Sequence, residues 1–443
     1  MKNRLLLYAA ISAFAMPHLS AEEVKEWTLQ QCISHALAHN LTIQRQEDNV
    51  KMREISVSTS KNSRLPDLSG SAGENLSFGR ALTADNTYAN HNTNSTSFGL
   101  STSVPLLEGG RIHHTQAVDR LNLKAALQDQ ERTKQDVTLN VISVYLEAVC
   151  QKDLVEVAES QVALSGLQVQ RMKSLFENGK ASKADLAQIE NTLASDELSL
   201  TQQRNSYMLS LLTLSQLLEL DTPEGFDVAR PAIGDIPECD LPSPDVVYAE
   251  AIGIKPQVLA EETRLQTAQR NVQVAKSALF PSLYLNAGLG SSFYKTSGFQ
   301  AQSFGKQMRE NFSQYMGISL SVPIFNRFAT RNNIRAARVQ VHAQELQVLE
   351  SKKELYKEIQ QAYYNAVASQ RQCESSEVAQ HSAQEAFDLI QKKYENGKAT
   401  STEFQEAKTN LQRAESNWIQ SRYTFLFRQK ILDFYRGLFT VEG

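Results

Sequence analysis

Among the residues able to do chemistry, the acidic ones beside two matching turns stand out. Glu403 and Glu406 are three apart, so one face of a helix carries both. Asp185 holds the place of Glu403 beside an earlier copy of the same turn, where Gln188 stands in for Glu406. Glu403 and Asp185 each follow a hydroxyl residue, Thr400 or Ser182, by three positions, which is the spacing of a helix capping box. Glu406 lies outside that cap, and its plain reading is a solvated helix face. His35 and His39, four apart, could lend two ligands to a metal, but no third accompanies them and surface histidines are commoner. Cys32, Cys150, Cys239 and Cys373 match no zinc or redox spacing, so no bridge is assigned. There is no phosphate-binding loop and no nucleophile elbow, and Gly288-Leu289-Gly290 sits inside a strand pattern instead of ahead of a helix. The chain reads as no enzyme and asks for no cofactor or metal.

These side chains sit in a chain of 443 residues, 41% hydrophobic and 21% charged, with a formal charge of −4. That balance argues against a nucleic-acid partner recognised through its phosphates. Residues 1–21 read as a secretory signal peptide: Lys2 and Arg4, an apolar core from Leu5 to Met16, then a run from Pro17 that ends in the small residues Ser20 and Ala21. Beyond it no apolar run reaches about 18 residues, which excludes helical membrane spans. A soluble exported protein and a β-barrel both stay open.

The mature chain is one plan written twice. Phe176-Glu177-Asn178-Gly179-Lys180-Ala181-Ser182 returns as Tyr394-Glu395-Asn396-Gly397-Lys398-Ala399-Thr400, an offset of 218. Gly99 to Leu106 returns at the same offset as Gly317 to Ile324. The halves are residues 22–218 and 245–443, joined by a proline-rich crossover over 219–244. Each begins with a helical stretch, 27–64 or 245–280, stopped ahead of Pro66 or Pro281. Two strands of about ten residues follow, with β-hairpins over 67–106 and 282–324. Leu68, Gly70, Ala72, Leu76 and Phe78 alternate with small polar residues, as do Met316, Ile318, Leu320, Val322 and Ile324. Such strands suit either ordinary hairpins with one wet face or transmembrane barrel strands. His113 and His114 come just after the first pair, at the edge of any such barrel.

No proline interrupts 108–176 or 328–394, so each stretch predicts a rod of about 100 Å. Val141, Ala148, Val155, Val162, Val169 and Phe176 recur every seven residues, with Val144, Ala158, Ser165 and Met172 between them, as in a coiled-coil seam. Gly179 and Gly397 supply the left-handed stop after each rod. Return helices over 182–218 and 400–436 must then run antiparallel to the rods. The fold class is mainly α, with duplicated long coiled-coil hairpins and four β-strands per protomer. Four strands cannot enclose a lumen, and an open sheet in lipid leaves two edges unpaired. Three protomers would pool twelve strands, an even number suited to an outer-membrane barrel.

The duplicated order of helix, two strands, rod, Gly turn and helix resembles the TolC-type outer-membrane efflux protein family. The endings Ser103-Val104-Pro105-Leu106 and Ser321-Val322-Pro323-Ile324 and the two Glu-Asn-Gly-Lys-Ala turns carry the likeness, which covers Trp27 to Phe439. The resemblance implies a homotrimer with a 12-stranded β-barrel in the outer membrane of a Gram-negative bacterium, in contact with its lipid, and a periplasmic α-barrel. It implies the exit duct of a tripartite pump for small molecules or drugs. Its partners would be a periplasmic adaptor and an inner-membrane transporter of RND, ABC or MFS type. A type I protein secretion duct of the same fold is the alternative, and a periplasmic coiled-coil adaptor is the rival from another class. By the same resemblance Glu403 and Glu406, with Asp185, would ring the periplasmic constriction as carboxylates that attract cations. Glutamates stand here where aspartates are usual in the family. Tyr394 would hold the closed state through contacts between helices, and the tips at Gly179, Lys180, Gly397 and Lys398 would meet the adaptor.

Overall fold

The computed structural model describes residues 25–82, 86–90, 92–222, 225–231 and 241–438. The expected signal peptide and Cys239 lie outside the described residues. β1 (Lys25–Trp27), α1 (Leu29–His39) and α2 (Leu41–Asn62) lead into β2 (Ser69–Ser77). A small pair, β3 (Arg80–Leu82) and β4 (Tyr88–Asn90), precedes β5 (Thr93–Glu108). The rod α3 (Arg111–Glu177) and its return helix α4 (Lys183–Leu217) complete the first half, and β6 (Phe226–Val228) lies in the crossover. The second half runs α5 (Pro244–Ala251), α6 (Pro256–Ser277), β7 (Ser282–Thr296), α7 (Phe304–Glu310), β8 (Ser313–Ser321), the rod α8 (Ala329–Glu395) and α9 (Ser401–Arg436). Both rods have 67 residues, about 100 Å each.

Where one helix was expected over 27–64, the chain forms two. Asn40 is extended, and its side-chain oxygen accepts from the Thr42 N–H at 3.0 Å, so it starts α2 while α1 ends. Its amide also donates to the Leu217 carbonyl at 3.1 Å, and Glu219 accepts from the Leu41 N–H at 3.2 Å. The start of α2 thus abuts the end of α4. The stretch over 245–280 divides in the same way at Lys255, just before Pro256. Lys255 donates to the Phe434 carbonyl at 2.8 Å, which joins the start of α6 to the end of α9. Each half is therefore one continuous rod beside a second rod made of two helices stacked end to end.

Across the protomer, α2 and α4 line one flank of α3, α6 and α9 the other, and α8 packs beyond α6 and α9. The largest apolar core surrounds the middle of α3, where Val141, Ile142, Tyr145 and Val149 meet α1, β6 and the end of α4. Tyr145 donates to the carbonyls of Trp27 and Ala229, and Lys152 binds Asp227 at 3.0 Å and the Val228 carbonyl at 2.8 Å. The parallel pair β1–β6 is thereby fixed across the rod. The seven-residue seam divides between neighbours: Ala158, Ser165 and Met172 are buried, Val155, Val162 and Val169 half-buried, and Phe176 is 39% exposed. A rod flanked on both sides has two contact stripes, and toward the tip burial passes from the stripe of Val141 and Ala148 to that of Ala158, Ser165 and Met172.

The four long strands form one antiparallel sheet in the order β2-β5-β7-β8. The inner strands, paired on both edges, reach 16 and 15 residues, whereas the outer ones stop at 9. Gly288 lies within β7, where a Cβ would come within 2.9 Å of the Leu100 carbonyl and 2.7 Å of the Tyr315 ring. The joint from strand to rod is left-handed in both halves. Gly109 and Gly110 (φ +58° and +81°) make it in the first, and Arg327 and Phe328 (φ +56° and +62°), 218 positions on, in the second. The Arg-Phe copy carries the strain that the Gly-Gly copy avoids.

Candidate functional site

The rods and return helices bring two tight turns to one end of the molecule. Gly179 and Gly397 adopt φ +70° and +69°, and the Lys180 and Lys398 N–H groups close the turns on the carbonyls of Leu175 and Lys393, each at 2.8 Å. Both glycines and both lysines are exposed. Ser182 with Asp185, and Thr400 with Glu403, form complete capping boxes at the starts of α4 and α9. Asp185 accepts from the Ser182 hydroxyl at 2.7 Å and its N–H at 3.1 Å, and Glu403 accepts from the Thr400 N–H at 2.7 Å. Hydrogen bonds from Ser182, and from the Thr400 backbone and then its hydroxyl, hold both carboxyls below the usual range. Glu403 and Asp185 are caps within the protomer. Glu406, one turn further on, is exposed and forms no ion pair among the described residues.

Tyr394 is half-buried and stacks on Phe404, ring centroids 4.8 Å apart at 24°. The Arg171 guanidinium lies 5.4 Å from the Tyr394 ring and donates to the Glu395 carbonyl at 2.9 Å. Arg171 belongs to α3, so this contact ties the end of one hairpin to the rod of the other. Phe387, Phe404 and Leu411 build an apolar cluster at the same level, with Leu164 of α3 against it.

Two turns up α9 lies a cation that the sequence reading passed over. The Lys408 side chain is 2% exposed, and its ammonium binds Asp196 of α4 at 2.5 Å and the Ser165 hydroxyl of α3, which itself donates to Asp196. Three helices from both halves thus meet at one charge. Lys408 falls between Phe404 and Leu411 on the buried stripe of α9, at i, i+4 and i+7. A lysine on an apolar stripe is the signal that could have revealed it. Higher still, Tyr423 of α9 donates to Asp153 of α3 at 2.6 Å.

His35 and His39 have rings 4.4 Å apart, yet no group of three metal-ligating side chains exists among the described residues. Cys32, Cys150 and Cys373 are buried free thiols, and burial raises the pKa of each. His113 and His114 lie in the first turn of α3, directly below β5.

The protomer thus combines duplicated rods, stacked return helices and a four-stranded sheet with both edges open. A model of the outer membrane efflux proteins matches residues 32–219 and again 247–435, the two halves separately. The chain belongs to the outer membrane efflux protein family. It is an outer-membrane channel protein that extends into the periplasm, with efflux as its function. This efflux protein is 24% identical to the pyoverdine export outer membrane protein OpmQ of Pseudomonas putida, over 78% of this chain and 71% of that one. It is 20% identical to the outer membrane efflux protein BepC of Brucella suis, over 94% and 87%. Its fold superposes on the Campylobacter jejuni CmeC outer membrane channel with a TM-score of 0.76 at 17% identity, over 92% of this chain and 85% of that one. The transmembrane reading of the strands therefore holds for the efflux protein, and the soluble adaptor is set aside.

Proposed function

We propose that three copies close head to tail into a twelve-stranded barrel above a ring of twelve rods, serving as the outer-membrane exit duct of a tripartite pump. The observation that carries this is the agreement between the layers. The sheet ends on β2 and β8, and the helical layer ends on α2 with α4 and on α8, so one neighbour placed beside α8 meets both open borders. The free flank of α8 exposes Val339, Leu346, Leu349, Tyr364, Val378 and Leu389. The opposite flank exposes Met52 and Ile55 of α2 and Leu198 and Leu209 of α4. Apolar stripes of this extent on a rod are surfaces for another chain. Pyoverdine export by OpmQ favours small molecules over proteins as cargo. The partners would be a periplasmic adaptor at the Lys180 and Lys398 turns and an inner-membrane transporter.

In such a ring the tip contacts of Tyr394 would hold the second hairpin closed. Glu406, free of the cap, would line the constriction more openly than Glu403 or Asp185. Replacing Leu346 and Leu349 by Glu should abolish the trimer on native gels of detergent-extracted membranes; an intact trimer would argue against this border. Glu403→Gln with Glu406→Gln should reduce cation selectivity in planar bilayers, and an unchanged reversal potential removes the carboxylate ring.

A further inference from the structure

The net charge of −4 conceals a sharp division. Four stretches of the helical layer adjoin the sheet: residues 51–66, 109–124, 266–281 and 325–340. Together they hold 13 Lys and Arg against 2 acids, Glu54 and Asp119, a net charge of +11. The remainder, with 32 Lys and Arg against 47 acids, is strongly acidic. Lys51 pairs with Asp48 and Arg111 with Glu108, and the other eleven cations form no ion pair among the described residues. In the last stretch Arg327, Arg331, Arg335 and Arg338 are all exposed, with no acid among them.

We propose that this band is a docking collar for the phosphate groups of anionic phospholipid in the periplasmic leaflet. The proposal rests on the closed ring of rods described above. Both α3 and α8 start at the sheet, so Arg120 lies about 14 Å and Arg331 about 3 Å along the rod from its first residue. Side chains lean toward the start of their helix, which here is the membrane side. Long arginines on both rods therefore reach back toward the headgroups, as snorkelling cations do.

Tyr145 and Lys152 carry the β1–β6 layer on one flank of α3, and inside the ring that layer would fill the duct. Arg120 is 25 residues before Tyr145, seven helical turns, and so shares its outward flank. There a cleft of about 610 Å³ opens between α3 and α6, lined by His113, Arg120, Arg270 and glutamines, with no acidic side chain. A lipid phosphate meets both guanidiniums there, and the glutamine amides can bond its remaining oxygens.

Native mass spectrometry of the full-length protein, released from micelles holding equal phosphatidylglycerol and phosphatidylcholine, tests this. The wild-type trimer should retain phosphatidylglycerol preferentially. Arg120→Gln with Arg270→Gln should lower its occupancy by about fivefold per cation removed, while Arg120→Lys with Arg270→Lys retains most of it. The reversal potential in planar bilayers should not move. No preference in an intact wild-type trimer overturns the collar. So does a shifted reversal potential with lipid retention unchanged, which would place the cations in the lumen. Trimer mass and lipid adducts are read in one spectrum, so failure of the collar is distinct from failure of the ring.

Discussion

Lys408 places a full charge where 2% of the side chain is exposed, and only Asp196 and Ser165 make that tolerable. Breaking such a pair from one side leaves the other charge buried and uncompensated, at about 3–5 kcal/mol. Lys408→Met or Asp196→Asn alone should loosen the attachment of α9 to α3, read as faster amide exchange over 160–170 and 400–412. Lys408→Met with Asp196→Leu should recover much of the protection; a double variant as loose as the singles would contradict the pairing. Lys255 poses the opposite problem. Burial pushes its amine down to about 8, against the upward pull of Asp136 and Glu358. The folded state then holds fewer protons than the unfolded one between about pH 8 and the free-lysine value near 10.4. Stability from this residue therefore rises with pH across that window, and below it the cost of burying the ammonium is fully present. The melting temperature of wild type relative to Lys255→Met should climb from pH 8 to 10. A flat difference would count against the buried amine.

At the scale of elements, the rods and their turns were legible because their limits are chemical: absent proline inside, Gly179 or Gly397 at one end, Ser182 or Thr400 after it. The breaks at Asn40 and Lys255 were less so: their local signals, a capping Asn and Pro256, sit within a continuing helical pattern, and the partners that hold them, Leu217 and Phe434, are far away in sequence. A local pattern of apolar residues runs through both breaks. The capping role of Asp185 and Glu403 was legible from spacing, whereas Lys408 needs three helices before its environment exists. The strand-to-rod joint gives a test at this scale. A Cβ on Gly109 would meet the Ser277 carbonyl at 2.5 Å and the Phe280 Cβ at 2.7 Å, at φ +58°. On Gly110 it would meet nothing nearer than His114 at 3.5 Å. Both changes cost about 1–2 kcal/mol for the left-handed backbone, and Gly109→Ala adds roughly 1–3 kcal/mol of overpacking. Gly109→Ala should therefore yield less heat-modifiable folded barrel than Gly110→Ala, and equal yields would refute the steric account.

For the whole molecule, the question is what holds the second hairpin against the first. Near the middle of α3 the attachment is broad and apolar, and toward the tips it narrows to Leu164 against the Phe387, Phe404 and Leu411 cluster together with three polar links. Arg171 meets Tyr394 and the Glu395 carbonyl, Ser165 meets Lys408, and Asp153 meets Tyr423. Along α3 these are six and twelve residues apart, about 9 and 18 Å. Broad apolar contact fixes the hairpin near the middle of α3, while near the tips directional bonds carry more of the attachment beside the small Leu164 contact. On the proposed gate, opening must break the Arg171 and Lys408 links together, and the two share no partner. Their contributions should then add as free energies, since sites this far apart couple weakly. In planar bilayers Arg171→Ala and Lys408→Met should each raise the open probability, and the double variant should raise it by the product of the two factors until it saturates. A double variant no more open than the better single would mean that one link alone restrains the hairpin and the other lies outside the moving part.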